Sequence, residues 1–301
     1  MPSGLSGSWS LTRIEEMLTP GFDPAFLFPD YDAEILREHD QLARPGFWHP
    51  ATGKVMSSMH SWMLRNDRHV ILIDTGCGNG KERARPLFER FHMLDKPYLD
   101  RLAAAGVRPE DVTLVICTHL HIDHVGWNTR LQDGRWVPTF PNARYLFGRR
   151  EFAHWSEGGA GLAALPENGP VIEDSVRPVV EAGLAELVDD ETEVLPGISV
   201  QAAPGHTEGQ LAVIVRDGRR RYLFSGDSLH QPMQVYRPHW NSRFCEDAAR
   251  ARETRRGLLE FCVEEEALLL PAHFGAPHGG FVRRSGADYR FEPCEDAARA
   301  A

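Results

Sequence analysis

Three histidines and an aspartate fall within the stretch THLHIDHVGW, Thr118 to Trp127: His119, His121, Asp123 and His124. Imidazole and carboxylate without thiolate form a donor set for a divalent cation. It suits zinc, and manganese, iron or cobalt as well. On an extended backbone His119 and His121, two residues apart, face the same way. Asp123 and His124 continue round the turn and can face a second centre. The stretch follows VTLVICTH, a β-branched run apolar on both faces, which predicts a buried strand. The histidines then belong to a loop at a sheet edge, where functional groups collect.

Further runs end in the same donor types. APGHT puts His206 after a predicted strand, FSGD puts Asp227 after another, and LLLPAH puts His273 after a third. A carboxylate in such a position can bridge two cations held about 3.5–4 Å apart and partly neutralise them. Three residues beyond Asp227, in FSGDSLHQP, stands His230. It is a candidate acid or base, or a residue that only shapes a pocket wall.

The elements that must position these residues are legible as runs and turns. HSWML and HVILID, separated by RNDR, predict a β-hairpin that ends in the glycine-rich DTGCGNG. DKPYLDRLAAAG predicts a helix, with Pro97 in its first turn and Gly106 at its end. ARYLFG predicts a strand before a helix at RREFAHW, and VIEDSVRPVVEAGL is helical. LAVIVRDGRRRYLFSGD predicts two strands joined at Asp217-Gly218. A long amphipathic helix is expected over about 246–263. Strands come in meanders before and after helices rather than in strict alternation. The expected class is α/β (α+β), an αββα sandwich of two mixed β-sheets flanked by helices.

The chain is expected to form a single domain over residues 1–301. Residues 18–54 form an aromatic-rich N-terminal extension, with Phe22, Phe26, Phe28, Tyr31, Phe47 and Trp48. Its expected role is a lid over a pocket, a homodimer contact or an extra layer on the core. The heptamer CEDAARA occurs twice, at Cys245–Ala251 and Cys294–Ala300, too little for a repeat architecture.

The net charge of −10 argues against nucleic acid or an acidic membrane as partner. The basic run RDGRRR is expected at a hairpin tip. Five scattered cysteines do not make a disulfide framework. The start MPSGLSGSWSL lacks a basic segment followed by an apolar one, and no run is long enough to span a bilayer. A soluble, cytoplasmic setting is expected.

Together HLHIDH, the GHT of His206, the SGD of Asp227, the PAH of His273 and the DTG of Asp74–Gly76 resemble the metallo-β-lactamase superfamily, over roughly Ser57 to Gly280. The resemblance implies two divalent ions, with zinc the usual choice. His119, His121 and His206 would hold the first, and Asp123, His124 and His273 the second. Asp227 would bridge them, and Asp74 would orient a ligand histidine. Asp123 and His230 would be catalytic.

The chain looks most like the lactonase and organophosphate-hydrolase branch, which implies a small apolar ester or lactone substrate, or a phosphotriester. Homoserine-lactone lactonases commonly place a tyrosine where this chain has His230. GDSLH is similar instead to methyl-parathion-hydrolase-like relatives. TEGQ after His206 also departs from the usual TPGH or TPGS. The alternatives are a glyoxalase II-like thioesterase, which would carry more basic residues and a helical C-terminal region, and a mononuclear iron sulfur dioxygenase.

Overall fold

The computed structural model describes residues 9–44 and 46–295. Two seven-stranded sheets follow one another along the chain. The first is built from residues 10–188. Its strands run in the order Ser10–Pro20, Lys54–Arg65, Val70–Ile73, Leu114–Ile116, Arg144–Gly148 and Ala185–Val188, with Trp48–His49 paired beside Lys54–Arg65. The second is built from residues 192–293, in the order Thr192–Leu195, Ile198–Ala202, Leu211–Asp217, Arg220–Phe224, Leu268–Leu270, Gly280–Ser285 and Asp288–Pro293. Both sheets are mixed: Val70–Ile73, Leu114–Ile116, Arg144–Gly148 and Ala185–Val188 pair in parallel, as do Arg220–Phe224 and Leu268–Leu270.

Side-chain alternation along each strand divides the core into three layers. Ile71, Ile73, Leu114 and Ile116 meet Val213, Val215, Phe224 and Leu270 between the sheets. On the far side of the first sheet, Leu72 and Val115 pack with Tyr98 and Leu102 of the helix Tyr98–Ala104. On the far side of the second, Ile214, Leu223 and Leu269 pack with Leu258, Leu259 and Cys262 of the helix Ala248–Glu264. This is the expected αββα sandwich. Buried on both faces, these strands must be apolar throughout, which is why they stood out in the sequence.

The first sheet also contains a strand not anticipated from sequence, Ser10–Pro20, paired along Lys54–Arg65. It carries Glu15, Glu16 and Arg13 and lacks strict alternation, partly because its register shifts between Glu15 and Met17. The segment singled out as an extension thus begins inside a core strand. Its remainder includes short helices at Pro24–Leu27 and Glu34–Glu38, which pack onto the second sheet's outer layer through Leu27, Phe28 and Ile35, and the strand Trp48–His49 of the first sheet.

RDGRRR is the tip of the hairpin between Leu211–Asp217 and Arg220–Phe224, with Gly218 at φ +59°. The first CEDAARA leads into the helix Ala248–Glu264, where Asp247 caps the N-terminus by accepting from the amides of Ala249 and Arg250. Most of the second copy lies outside the described residues. Among the described residues no helix is long and apolar enough to cross a membrane.

Candidate metal centre

Four strands deliver their C-terminal ends to one edge of the sandwich. Leu114–Ile116 leads to His119, Ile198–Ala202 to His206, Arg220–Phe224 to Asp227, and Leu268–Leu270 to His273. Two antiparallel pairings make Ile198–Ala202 run the same way as Arg220–Phe224, so these loops share an edge. Gly226, at φ +50°, turns the chain immediately before Asp227, and a Cβ there would also come within 2.9 Å of Thr118 Oγ1.

The loops bring all seven sequence-predicted ligands together. His119 Nε2, His121 Nδ1 and His206 Nε2 form one group, with His121 Nδ1 3.1 Å from His119 and 3.0 Å from His206. Asp123, His124 and His273 form a second, with the carboxylate of Asp123 3.7 Å from His124 Nε2 and 3.6 Å from His273 Nε2. Asp227 lies between them. Its Oδ2 is 3.3 Å from His206 Nε2 and 3.9 Å from His119 Nε2, while its Oδ1 is 3.3 Å from His124 Nε2 and 3.0 Å from His273 Nε2. Ligands at about 2.0–2.1 Å from a tetrahedral zinc are separated by roughly 3.3 Å, so these spacings fit donors converging on ions. His124 Nε2 and Asp227 Oδ1 are buried and face each other at 3.3 Å without a well-aligned hydrogen bond, as atoms reserved for a cation would be.

The outward nitrogens of three histidines are fixed, which decides what their inward nitrogens offer. His124 Nδ1 lies 2.9 Å from Asp74 Oδ2, His119 Nδ1 lies 3.1 Å from Thr118 Oγ1, and His273 Nδ1 lies 3.0 Å from the Ser58 carbonyl. Each contact leaves Nε2 directed at the cluster. Asp74 also accepts from the Thr118 amide at 2.7 Å and its hydroxyl at 2.9 Å, so one carboxylate aligns both the strand end and the His124 ring.

Charge in the cluster is strongly organised. Burial and neighbouring imidazoles hold His119 well below the usual histidine range, and burial brings His121 down to about 4. Burial also opposes charge on His124, but the carboxylates of Asp227, Asp74 and Asp123 outweigh it and raise that ring. Burial likewise opposes charge on Asp227, and His273, His124, His230 and His206 outweigh it to keep the carboxylate ionised. Imidazoles held neutral at His119, His121 and His206 thus stand beside a carboxylate, Asp227, whose negative charge favours a positive group next to it, a proton on His124 and His273 or a cation in its place.

His230 lies beside the cluster, its Nε2 3.2 Å from Asp227 Oδ2. It joins His206 and Asp227 in a further group that includes neither His119 nor His121. Both its ring nitrogens are buried, and neither makes a well-aligned hydrogen bond among the described residues. The cluster forms the floor of a cavity of about 350 Å³, walled by Phe22, Met59, Phe88, Phe91, Leu165 and Phe244 among others.

Sequence reasoning missed two buried carboxylates that brace the loops. Glu151 accepts from the amide of Leu120 at 2.9 Å, the Trp155 indole at 2.7 Å, the Thr207 hydroxyl at 2.7 Å and the Gly209 amide at 3.1 Å. It thereby ties the His119–His121 loop to the His206 loop. Gly209 permits the approach, since a Cβ there would sit 2.1 Å from the Glu151 nitrogen. Glu16 accepts from the amides of Cys77 and Gly78 and from the Trp127 indole, at 2.7, 2.9 and 2.7 Å. Burial raises both carboxyls. An acidic residue four positions before a tryptophan in the predicted helix RREFAHW was the available signal for Glu151.

A fold of two mixed sheets with a paired-donor cluster on their common edge defines a metallo-hydrolase-type scaffold, and comparison with known proteins gives the family. The chain belongs to the metallo-β-lactamase superfamily, whose family model matches residues 58–279. An N-acyl homoserine lactonase of Bacillus cereus is 24% identical over 163 residues, 51% of this chain and 56% of the relative. A probable metallo-hydrolase of Mycobacterium tuberculosis is 28% identical over 188 residues, 57% of this chain and 56% of the relative. The chain thus spans little more than half the length of these curated relatives. Among solved structures, the hydrolase AbOPH superposes with a TM-score of 0.77 at 22% identity, over 96% of this chain and 95% of that one. The dizinc quorum-quenching lactonase AidC superposes with a TM-score of 0.75 at 19% identity, with the same coverage. At these identities the superpositions speak for the fold.

Proposed function

We propose that the protein is a binuclear-metal-dependent hydrolase of small apolar esters or lactones. The observation that carries this reading is the placement of Asp227 between two three-residue donor groups, one oxygen toward each. In this reading His119, His121 and His206 hold one divalent ion, Asp123, His124 and His273 hold the other, and Asp227 bridges them. The donor set suits zinc among other divalent ions, and the dizinc lactonase of the same fold supports zinc as the choice. When bound, such a pair supplies an activated water at neutral pH and polarises a substrate oxygen.

The chain's own residues supply the rest. Asp123 borders both the cavity and the second group, placed to orient the attacking water and pass its proton to the leaving oxygen. His230 lines the cavity beside Asp227, placed to donate to the oxygen that gains charge. The phenylalanine wall holds an apolar acyl group and keeps bulk water away. Phe22 and Leu27 bring the N-terminal extension to that wall, which supports its role as a lid. A cytoplasmic setting belongs to the same reading and is supported by five cysteines that all remain unpaired thiols.

The test is a panel of aryl esters, lactones of varied chain length, phosphotriesters and a glutathione thioester, presented to metal-reconstituted protein beside a His121→Ala control. Turnover of esters or lactones above the control is expected. A preference for the glutathione thioester would transfer the protein to the thioesterase alternative. One iron per chain with oxygen consumption would transfer it to the dioxygenase alternative.

A further inference from the structure

Residues 207–210 read TEGQ, where the family's usual pattern is TPGH or TPGS. Thr207 and Gly209 bond Glu151, and the amide of Glu208 donates to Glu246 at 3.1 Å. Gln210 closes the segment. It is only 1% exposed, and its side chain makes three hydrogen bonds. Nε2 donates to the Ala203 carbonyl at 3.2 Å and to Ser228 Oγ at 2.8 Å, and Oε1 accepts from the amide of Asp227 at 3.2 Å. A carbonyl can only accept and a backbone amide can only donate, so the partners fix which end of the side chain is which.

Those partners lie on two different ligand loops. Ala203 directly follows the strand Ile198–Ala202 and opens the loop that carries His206. Asp227 and Ser228 belong to the turn after Arg220–Phe224. Gln210 directly precedes Leu211–Asp217, the strand that pairs with both. Its side chain therefore ties one loop to the other where His206 Nε2 and Asp227 Oδ2 stand 3.3 Å apart. The fully buried Arg255 holds the same turn by donating from Nε to the Ser228 carbonyl at 2.8 Å. Among the described residues the Asp227 carboxylate accepts no amide or hydroxyl hydrogen bond, and imidazoles surround it. Its direction is thus set through its backbone, and Gln210 is the side chain that holds the N–H of that backbone.

We propose that Gln210 is a positioning residue of the metal centre: its amide fixes the Asp227 backbone against the His206 loop and so aims the carboxylate between the two donor groups. This inference rests on the binuclear reading and deepens it. One neutral side chain supplies an acceptor and two donors at once, as a place facing both an N–H and a C=O requires. An apolar side chain of the same length leaves the Asp227 amide unpaired in a buried place and frees the turn. Histidine, the residue of TPGH, carries one acceptor and one donor when neutral, so it can stand in.

The test compares wild type, Gln210→Met, Gln210→His and a control, Cys262→Ala, which thins the outer core where the helix Ala248–Glu264 packs on the second sheet. Competition with a chromophoric chelator measures zinc affinity, and urea denaturation measures the stability of the ion-free proteins. Gln210→Met is expected to bind zinc about 10–100-fold more weakly, the range of a group that orients a ligand. Gln210→His is expected to recover most of that loss. Cys262→Ala is expected to bind zinc as wild type does, although it is less stable. An affinity of Gln210→Met within about threefold of wild type overturns the proposal. An equal loss in Cys262→Ala also overturns it, because affinity would then only follow stability. If Gln210→Met does not fold, Gln210→Asn, which draws the amide back by one methylene, takes its place with the same expectation.

If wild type binds zinc no better than His121→Ala, the binuclear reading fails. Amide hydrogen exchange in the ion-free protein then decides on Gln210. Exchange at Asp227 about tenfold faster in Gln210→Met, with Phe224 unchanged, supports the hold on that backbone. Equal exchange at Asp227 in the two proteins, or the same acceleration at Phe224, refutes it.

Discussion

Asp227 Oδ2 and His230 Nε2 lie 3.2 Å apart, three residues from each other in sequence, at the point where the two donor groups meet. The contact places His230 next to the proposed bridging carboxylate, in a group with His206 and Asp227 but not with His119 or His121. His230→Ala is therefore expected to keep two ions per chain and to lower kcat about 10²-fold, the range of a positioned proton donor. Metal stoichiometry by elemental analysis, read with steady-state kinetics, checks this. Loss of one ion in the variant would make His230 a ligand.

Glu151 satisfies four donors from three separate segments. Glu151→Ala would leave the Leu120 and Gly209 amides, the Trp155 indole and the Thr207 hydroxyl unpaired in a buried place. A loss of about 3–5 kcal/mol in stability is expected, together with roughly 10–100-fold weaker metal binding, because both ligand loops lose their brace. Urea denaturation and competition with a chromophoric chelator measure the two effects. A variant within 1 kcal/mol of wild type would show that the network is not needed.

Lys81 is buried, with Nζ 2.8 Å from Thr129 Oγ1, 3.2 Å from Asp174 Oδ1 and 3.7 Å from the centre of the Trp136 ring. Burial brings its ammonium down to about 8, and the Asp174 carboxylate offsets only part of that. Between about pH 8 and pH 10.5 the unfolded chain holds this proton and the folded protein does not, so Lys81 makes stability rise with pH across that window. Below pH 8 the residue carries a constant cost of about 3 kcal/mol. Lys81→Met should raise stability at pH 7 relative to wild type and flatten the rise above pH 8. Parallel stability curves for the two proteins from pH 7 to 10.5 would contradict the assignment.

Metal removal should destabilise the fold, because the donors converge from loops of both sheets. With free ion at 1,000 times Kd, each bound ion contributes about 4 kcal/mol. Dialysis against a strong chelator is then expected to lower Tm by about 10 °C or more, and readdition of zinc should restore it. An unchanged melting curve after complete removal, confirmed by elemental analysis, would count against a structural hold on the ions.

Much of this was legible in the sequence because burial on both faces writes itself as long apolar runs. Leu114–Ile116, Leu211–Asp217 and Leu268–Leu270 announced themselves in that way, and with them the ends that carry His119 and His273. The strand Ser10–Pro20 did not, because Arg13, Glu15 and Glu16 interrupt its pattern, and Glu16 is buried only because the Cys77 and Gly78 amides and Trp127 receive it. Glu151 was hidden for the same reason. A buried carboxylate is indistinguishable in sequence from an exposed one until its distant donors are known.

The first sheet is complete by Val188, the second begins at Thr192, and only the short turn between them joins the two. Cutting the backbone in that turn would leave one fragment with His119, His121, Asp123 and His124 and another with His206, Asp227 and His273. Each proposed ion draws on both fragments, so neither piece is a metalloprotein by itself. The two proposed ions would in this sense rivet two sequential half-molecules together, and added zinc is expected to make the severed halves reassociate.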